Sequence, residues 1–76
     1  MKLSKTFYRI AYFVDGEFDS WMDDCYTYSG DEEGLKEAII DAAILYKEVT
    51  AEIRANEEDY TVDYRVYKEV IKYTSV

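Results

Sequence analysis

Apolar residues run almost unbroken through 6–14 (TFYRIAYFV), and their aromatic and β-branched types fit a pleated surface better than a helix. The stretch predicts a strand. Asp15-Gly16 follows at once, a dipeptide suited to the positive φ values of a type I′ turn, so residues 17–22 are expected to return antiparallel with Phe18 opposite Phe13. Asp23-Asp24 interrupts the return as a bulge or bend, after which 25–28 either continue the strand or form a short third one.

Ser29-Gly30-Asp31 is a turn in which Ser29 or Asp31 can cap a helix, with Glu32 and Glu33 placed favourably at its positive end. Leu35, Ala38, Ile39, Ala42, Tyr46, Val49 and Ile53 then recur every three or four residues, the spacing of an amphipathic helix of about six turns. It should end near Asn56, which tolerates a left-handed terminal position. Residues 60–66 alternate again, with Tyr60, Val62, Tyr64 and Val66 on one face and Thr61, Asp63 and Arg65 on the other. The alternation then shifts to Tyr67, Ile71 and Tyr73, which predicts a bulged or bent strand near Lys68-Glu69.

These elements describe one α+β domain over residues 1–76. It is a two-layer β-β-α-β sandwich in which an antiparallel hairpin and the C-terminal strand or strands pack on one long helix. The first strand is apolar on both sides, with Tyr8, Ile10, Tyr12 and Val14 on one and Phe7, Ala11 and Phe13 on the other. A single helix covers one of them. An aromatic sheet face is therefore expected to stay open, and homodimerisation through that face or an edge strand is one use of it.

Charge adds a second pattern. The chain carries a net charge of -8, unevenly divided, with +3 over 1–14, -8 over 15–33, -4 over 34–59 and +1 over 60–76. The 15–33 segment holds Asp15, Glu17, Asp19, Asp23, Asp24, Asp31, Glu32 and Glu33 and no Lys or Arg, with Phe18, Trp21, Tyr26 and Tyr28 among them. Alternation on a strand sets Asp15, Glu17 and Asp19 about 6.7 Å apart on one side, against one phosphate per about 3.4 Å along a DNA strand. Such a row either guards an edge strand from aggregation or forms part of a phosphate-imitating patch completed by Asp23, Asp24 and the helix start. An acidic surface repels nucleic acid and anionic membrane and suits a basic partner protein. Nine tyrosines exceed what so small a core buries with every hydroxyl satisfied, which assigns Trp21, Tyr26 and Tyr28 to an interface.

Chemistry is poorly provided for. The chain has no histidine, the usual general base and metal ligand, and one cysteine, so neither a His/Cys zinc site nor an internal disulfide can form. Cys25 follows two aspartates that oppose thiolate formation, and it reads as a half-buried small apolar residue. The Asp15–Asp19 spacing differs from a calcium loop in the place of its glycine and in having Tyr26 at the twelfth position. No glycine-lysine phosphate loop accompanies the carboxylates. No enzymatic activity, cofactor or metal is expected. A lone cysteine, the lack of an apolar signal segment and the lack of a spanning apolar run indicate a soluble protein of a reducing cytosol.

In its short length, acidity and tyrosine content the chain resembles the small phage-encoded inhibitors of bacterial defence, the anti-CRISPR and antirestriction DNA mimics. That resemblance implies that the cytosol is that of a bacterial host, and that the chain is a non-enzymatic inhibitor occupying the basic nucleic-acid channel of a CRISPR effector or restriction-type protein, its carboxylates standing in for phosphates and its aromatics for bases. Over about 25 residues, Cys25-Tyr26-Thr27-Tyr28-Ser29-Gly30-Asp31 with Glu37-Ala38 is similar to the segment that leads from hairpin to helix in HicB-type antitoxins. No Pro-Asp-Leu-Pro-Gly stretch precedes it. This second resemblance implies neutralisation of a small basic RNase toxin.

Overall fold

The computed structural model describes residues 2–76, with side chains from residue 3 onward. Along the chain lie β1 (Lys2–Val14), β2 (Glu17–Trp21), a 3-10 turn (Asp24–Tyr26), β3 (Thr27–Ser29), α1 (Glu32–Ala55) and β4 (Val62–Thr74). β1 organises the sheet because both of its edges are used. On one it pairs antiparallel with β2 at residues 11–14 and with β3 at residues 7–9, so these two short strands share an edge in succession. On the other it pairs with β4 over its whole length, from Lys2↔Thr74 to Val14↔Val62. The fold is an α+β sandwich of four antiparallel strands and one helix.

The hairpin forms as its sequence predicts. Asp15 and Gly16 take φ of 50° and 83°, the two positive values a type I′ turn requires, and Phe13 stands opposite Phe18. Asp15 Oδ1 accepts from the Thr61 amide and hydroxyl at 2.9 and 3.2 Å, which ties the hairpin tip to the loop before β4. Several boundaries differ from expectation; β2 ends at Trp21, one residue early, and β4 begins at Val62, which leaves Tyr60 and Thr61 in the loop before it. β1 begins at Lys2, because β4 supplies a partner for residues 2–5 that no local pattern reveals. The bulge falls at Asp19, between the pairs Phe13↔Phe18 and Tyr12↔Ser20, whereas Asp23 and Asp24 lead into the 3-10 turn. β4 is continuous through Lys68-Glu69; Tyr67, Ile71 and Tyr73 belong to the same face as Asp63 and Arg65, and the apparent shift comes from polar residues on that face, not from a slip in register.

α1 starts where Asp31 Oδ1 accepts from the Gly34 amide at 2.8 Å, with the Ser29 hydroxyl donating to the same oxygen at 2.9 Å. These two bonds, the amide's first, hold the Asp31 carboxyl below the usual carboxylate range. At the other end Glu58 N–H bonds the Ile53 carbonyl and Glu57 N–H that of Arg54, a Schellman-type closure whose left-handed residue is Glu57 (φ 54°), while Asn56 stays at φ -89°. The helix seats Gly34, Ala38, Ala42 and Ile53 fully and Leu35, Leu45 and Val49 partly; Ile39 and Tyr46, expected inside, are 54% and 47% exposed. Its partners are Ile10, Tyr28 and, partly buried around them, Tyr8, Tyr64 and Val66. The helix therefore covers the face of β1 that carries Tyr8, Ile10 and Tyr12, and among the described residues the opposite face has no second layer.

Glycine is required at residue 34, since a Cβ built there would stand 1.8 Å from the Ser29 carbonyl oxygen. In an exposed helix interior Gly→Ala stabilises by about 1 kcal/mol. Here the sign is expected to reverse, with Gly34→Ala costing about 2 kcal/mol or more because backbone must move. Urea denaturation reads this directly, and an unchanged or raised midpoint would mean that α1 does not approach β3 so closely.

Candidate interaction surfaces

All eight carboxylates singled out between residues 15 and 33 are exposed. Asp15 and Asp31 are engaged in backbone, the first at Thr61 and the second as the helix cap. The other six, Glu17 and Asp19 on β2, Asp23 and Asp24 at the 3-10 turn, and Glu32 and Glu33 in the first turn of α1, follow the β2–β3 edge of the sheet. The two ion pairs among the described residues, Arg9–Glu69 at 3.7 Å and Arg65–Asp63 at 2.8 Å, involve none of them. They form a strip and not a cluster: from the hairpin tip to the residue facing β3's end, β1 spans about 23 Å at roughly 3.3 Å per residue. Among the described residues no three Asp, Glu or Cys side chains gather at a spacing that holds a metal ion. The regular row of Asp15, Glu17 and Asp19 is broken, because the turn takes Asp15 and the bulge displaces Asp19.

The aromatics assigned to an interface are divided between the two faces. Trp21 is on the open face, 43% exposed. Tyr26 is half-buried against the core, and Tyr28 is inside it, its hydroxyl donating to Asp41 Oδ2 on α1. Tyr28 is thus a tie between β3 and the helix and is not available to a partner. Cys25, expected half-buried, is an exposed free thiol on the 3-10 turn.

The open face carries a constellation that local sequence does not announce. Phe13, Phe18, Trp21 and Tyr67 form a closed ring of contacts, with centroid separations of 5.9 Å for Phe13–Phe18, 5.4 Å for Phe18–Trp21, 5.8 Å for Trp21–Tyr67 and 6.3 Å for Tyr67–Phe13. The bulge makes this possible, since residues 18 and 21 of a regular strand point to opposite sides. Arg9 lies 4.8 Å from the Trp21 ring and Arg65 4.1 Å from that of Phe13, so a guanidinium covers each of two rings. Phe13 is thereby nearly buried on a face without a second layer, while Phe18, Trp21 and Tyr67 remain about half exposed. The signal for Arg65 and Tyr67 resides in the β1–β4 register, which is a long-range fact.

No protein-family model, curated protein or solved structure matches the chain. Among the described residues no helix is long and apolar enough to cross a membrane.

Two core tyrosines give the fold a pH dependence. Burial, and then the Asp41 carboxylate, pushes the Tyr28 hydroxyl well above its ordinary value of 10.0, and burial with the neighbouring Tyr12 pushes Tyr64 up to about 12. Each group stays protonated in the folded chain at a pH where the unfolded chain has lost its proton, so stability is full below about pH 10 and falls as pH rises toward 12. Tyr28→Phe is expected to cost about 1 kcal/mol at neutral pH, since Asp41 loses its donor, and to make the alkaline decline shallower. Urea midpoints measured at intervals between neutral and alkaline pH check both; a decline of unchanged slope would exclude Tyr28 as a source.

Proposed function

We propose that this chain is a non-enzymatic inhibitor domain that engages a basic, nucleic-acid-handling bacterial protein, of the CRISPR-effector or restriction type, through the acidic β2–β3 edge. The observation that carries this reading is the strip of six exposed carboxylates, Glu17, Asp19, Asp23, Asp24, Glu32 and Glu33, none in an ion pair among the described residues, beside exposed Phe18 and Trp21. Uncompensated charge along one edge attracts a basic groove over several ångströms and speeds encounter. Phe18 and Trp21 then supply contact area where the strip meets the open face. Asp15, Asp31 and Tyr28 contribute indirectly, by holding the hairpin tip, the helix start and β3 in place.

A second reading draws on the segment 25–31, which runs from the hairpin through β3 into the Asp31 cap as in the HicB-type resemblance. On that reading the partner is a small basic RNase toxin met through the same acidic edge.

Capture from a bacterial lysate at low and physiological salt tests the proposal, comparing the wild type with a variant carrying Asp23→Asn, Asp24→Asn, Glu32→Gln and Glu33→Gln, its fold verified by circular dichroism. A prominent basic nucleic-acid-handling partner is expected, held about tenfold or more weakly by the variant and released as salt rises. The partner's identity separates the defence protein from the toxin. Equal retention by both proteins, or retention indifferent to salt, would contradict binding through this edge.

A further inference from the structure

The two edges of the sheet are built differently. The β2–β3 edge has features that hinder strand addition: two short segments, a bulge at Asp19, and carboxylates at Glu17, Asp19, Asp23 and Asp24. β4 is neither short nor bulged, and its charges are of both signs. It is 13 residues long, regular and free of proline, its outer edge has no strand partner among the described residues, and it carries Asp63, Arg65, Lys68, Glu69 and Lys72, a mixture of signs and not an acidic run. Beside it an apolar groove of about 640 Å³ opens between Ile39, Ala43 and Tyr46 of α1 and Val62, Tyr64 and Val66 of β4. Ile39 and Tyr46 are the two helix positions expected in the core and found exposed.

We propose that β4 pairs antiparallel with the β4 of a second copy about a two-fold axis at Tyr67, extending the sheet across both molecules. The occupant follows from the sequence of the strand read against itself. Antiparallel partners about a two-fold axis normal to the sheet keep both helices on one side, so each residue meets one from the same face of the other copy. With the axis at Tyr67, Arg65 meets Glu69 of the second copy twice over, Tyr67 meets Tyr67, and Tyr64 meets Val70 on the helix side. Moving the axis one residue back sets Asp63 against Glu69, and one residue forward sets Lys68 against itself, both repulsive. The register at Tyr67 is favoured by charge.

Coverage supports the same arrangement. α1 starts level with Thr6 of β1, as the approach of Gly30 to the Thr6 carbonyl shows, so residues 2–5 and 71–74 extend past it as a bare two-stranded ribbon in a molecule 55 Å long. Pairing at Tyr67 lays the ribbon half of each β4 along the half of the other that borders the groove. Val70, 47% exposed in one copy, then lies beside Tyr64 and the groove of its mate. The two acidic edges are left at the far ends of the joined sheet, where their mutual repulsion is least.

Charge exchange tests this without a partner protein. Arg65→Glu and Glu69→Arg are each expected to weaken self-association about tenfold or more, because each sets like charges opposite one another at two places. An equimolar mixture of the two variants restores both Arg–Glu pairs and is expected to form a heterodimer, read by sedimentation velocity. In a Cys25→Ser background, Tyr67→Cys is expected to form an intermolecular disulfide under mild oxidation, since antiparallel partners have Cα atoms about 4.5–5.5 Å apart; Lys47→Cys on the exposed side of α1 is expected not to. A wild-type chain monomeric up to submillimolar concentration overturns the proposal. So does a dimer that survives both single exchanges, or one that cross-links at residue 47 and not at 67, either of which would place the contact on another surface such as the open aromatic face. None of these outcomes bears on whether the acidic edge binds a basic protein.

Discussion

A single helix can cover one face of a sheet, and the closeness of its approach decides what remains for other uses. Gly34, Ala38 and Ala42 bring α1 down onto Ile10 and Tyr28, and the Asp31 cap and the Tyr28–Asp41 bond fix where it sits. The narrow contact leaves Ile39 and Tyr46 beyond the rim and the odd-numbered face of β1 without cover. That face is not abandoned to water. Phe13, Phe18, Trp21 and Tyr67 pack on one another and Arg9 and Arg65 close over two of them, which substitutes for part of a missing layer.

The position of β1 at the centre of the sheet divides the molecule's charge. One edge is finished by β2, the 3-10 turn and β3, and carries carboxylates that form no ion pair among the described residues; the other is β4, long and mixed in sign. An acidic edge can therefore serve two ends at once, keeping strands from adding there and attracting a basic surface. A dimer joined at β4 would present that strip at both ends of one continuous sheet.

Local chemistry was legible in the sequence and long-range register was not. The type I′ turn at Asp15-Gly16, the Phe13–Phe18 pair, the Asp31 cap and the long helix each follow from residues near one another in the chain. Residues 2–5 become strand only because β4 reaches them, and β4 reads as broken at Lys68-Glu69 only until the face of each residue is known. The candidate site shows the same division. The acidic strip was visible as composition, yet burial decided that Tyr28 belongs to the core, and a one-residue bulge decided that Phe18 and Trp21 share a face. Arg9, Arg65 and Tyr67 come together from opposite ends of the chain.

The proposed function depends on the six exposed carboxylates of the β2–β3 edge acting as one field, stronger than the Glu57-Glu58-Asp59 triplet that follows the helix. Residue-resolved NMR during titration with an arginine-rich peptide measures this directly. Amide shifts confined to residues 17–33 and abolished at high salt are the predicted result; shifts centred on residues 57–59, or spread evenly over the chain, would contradict it.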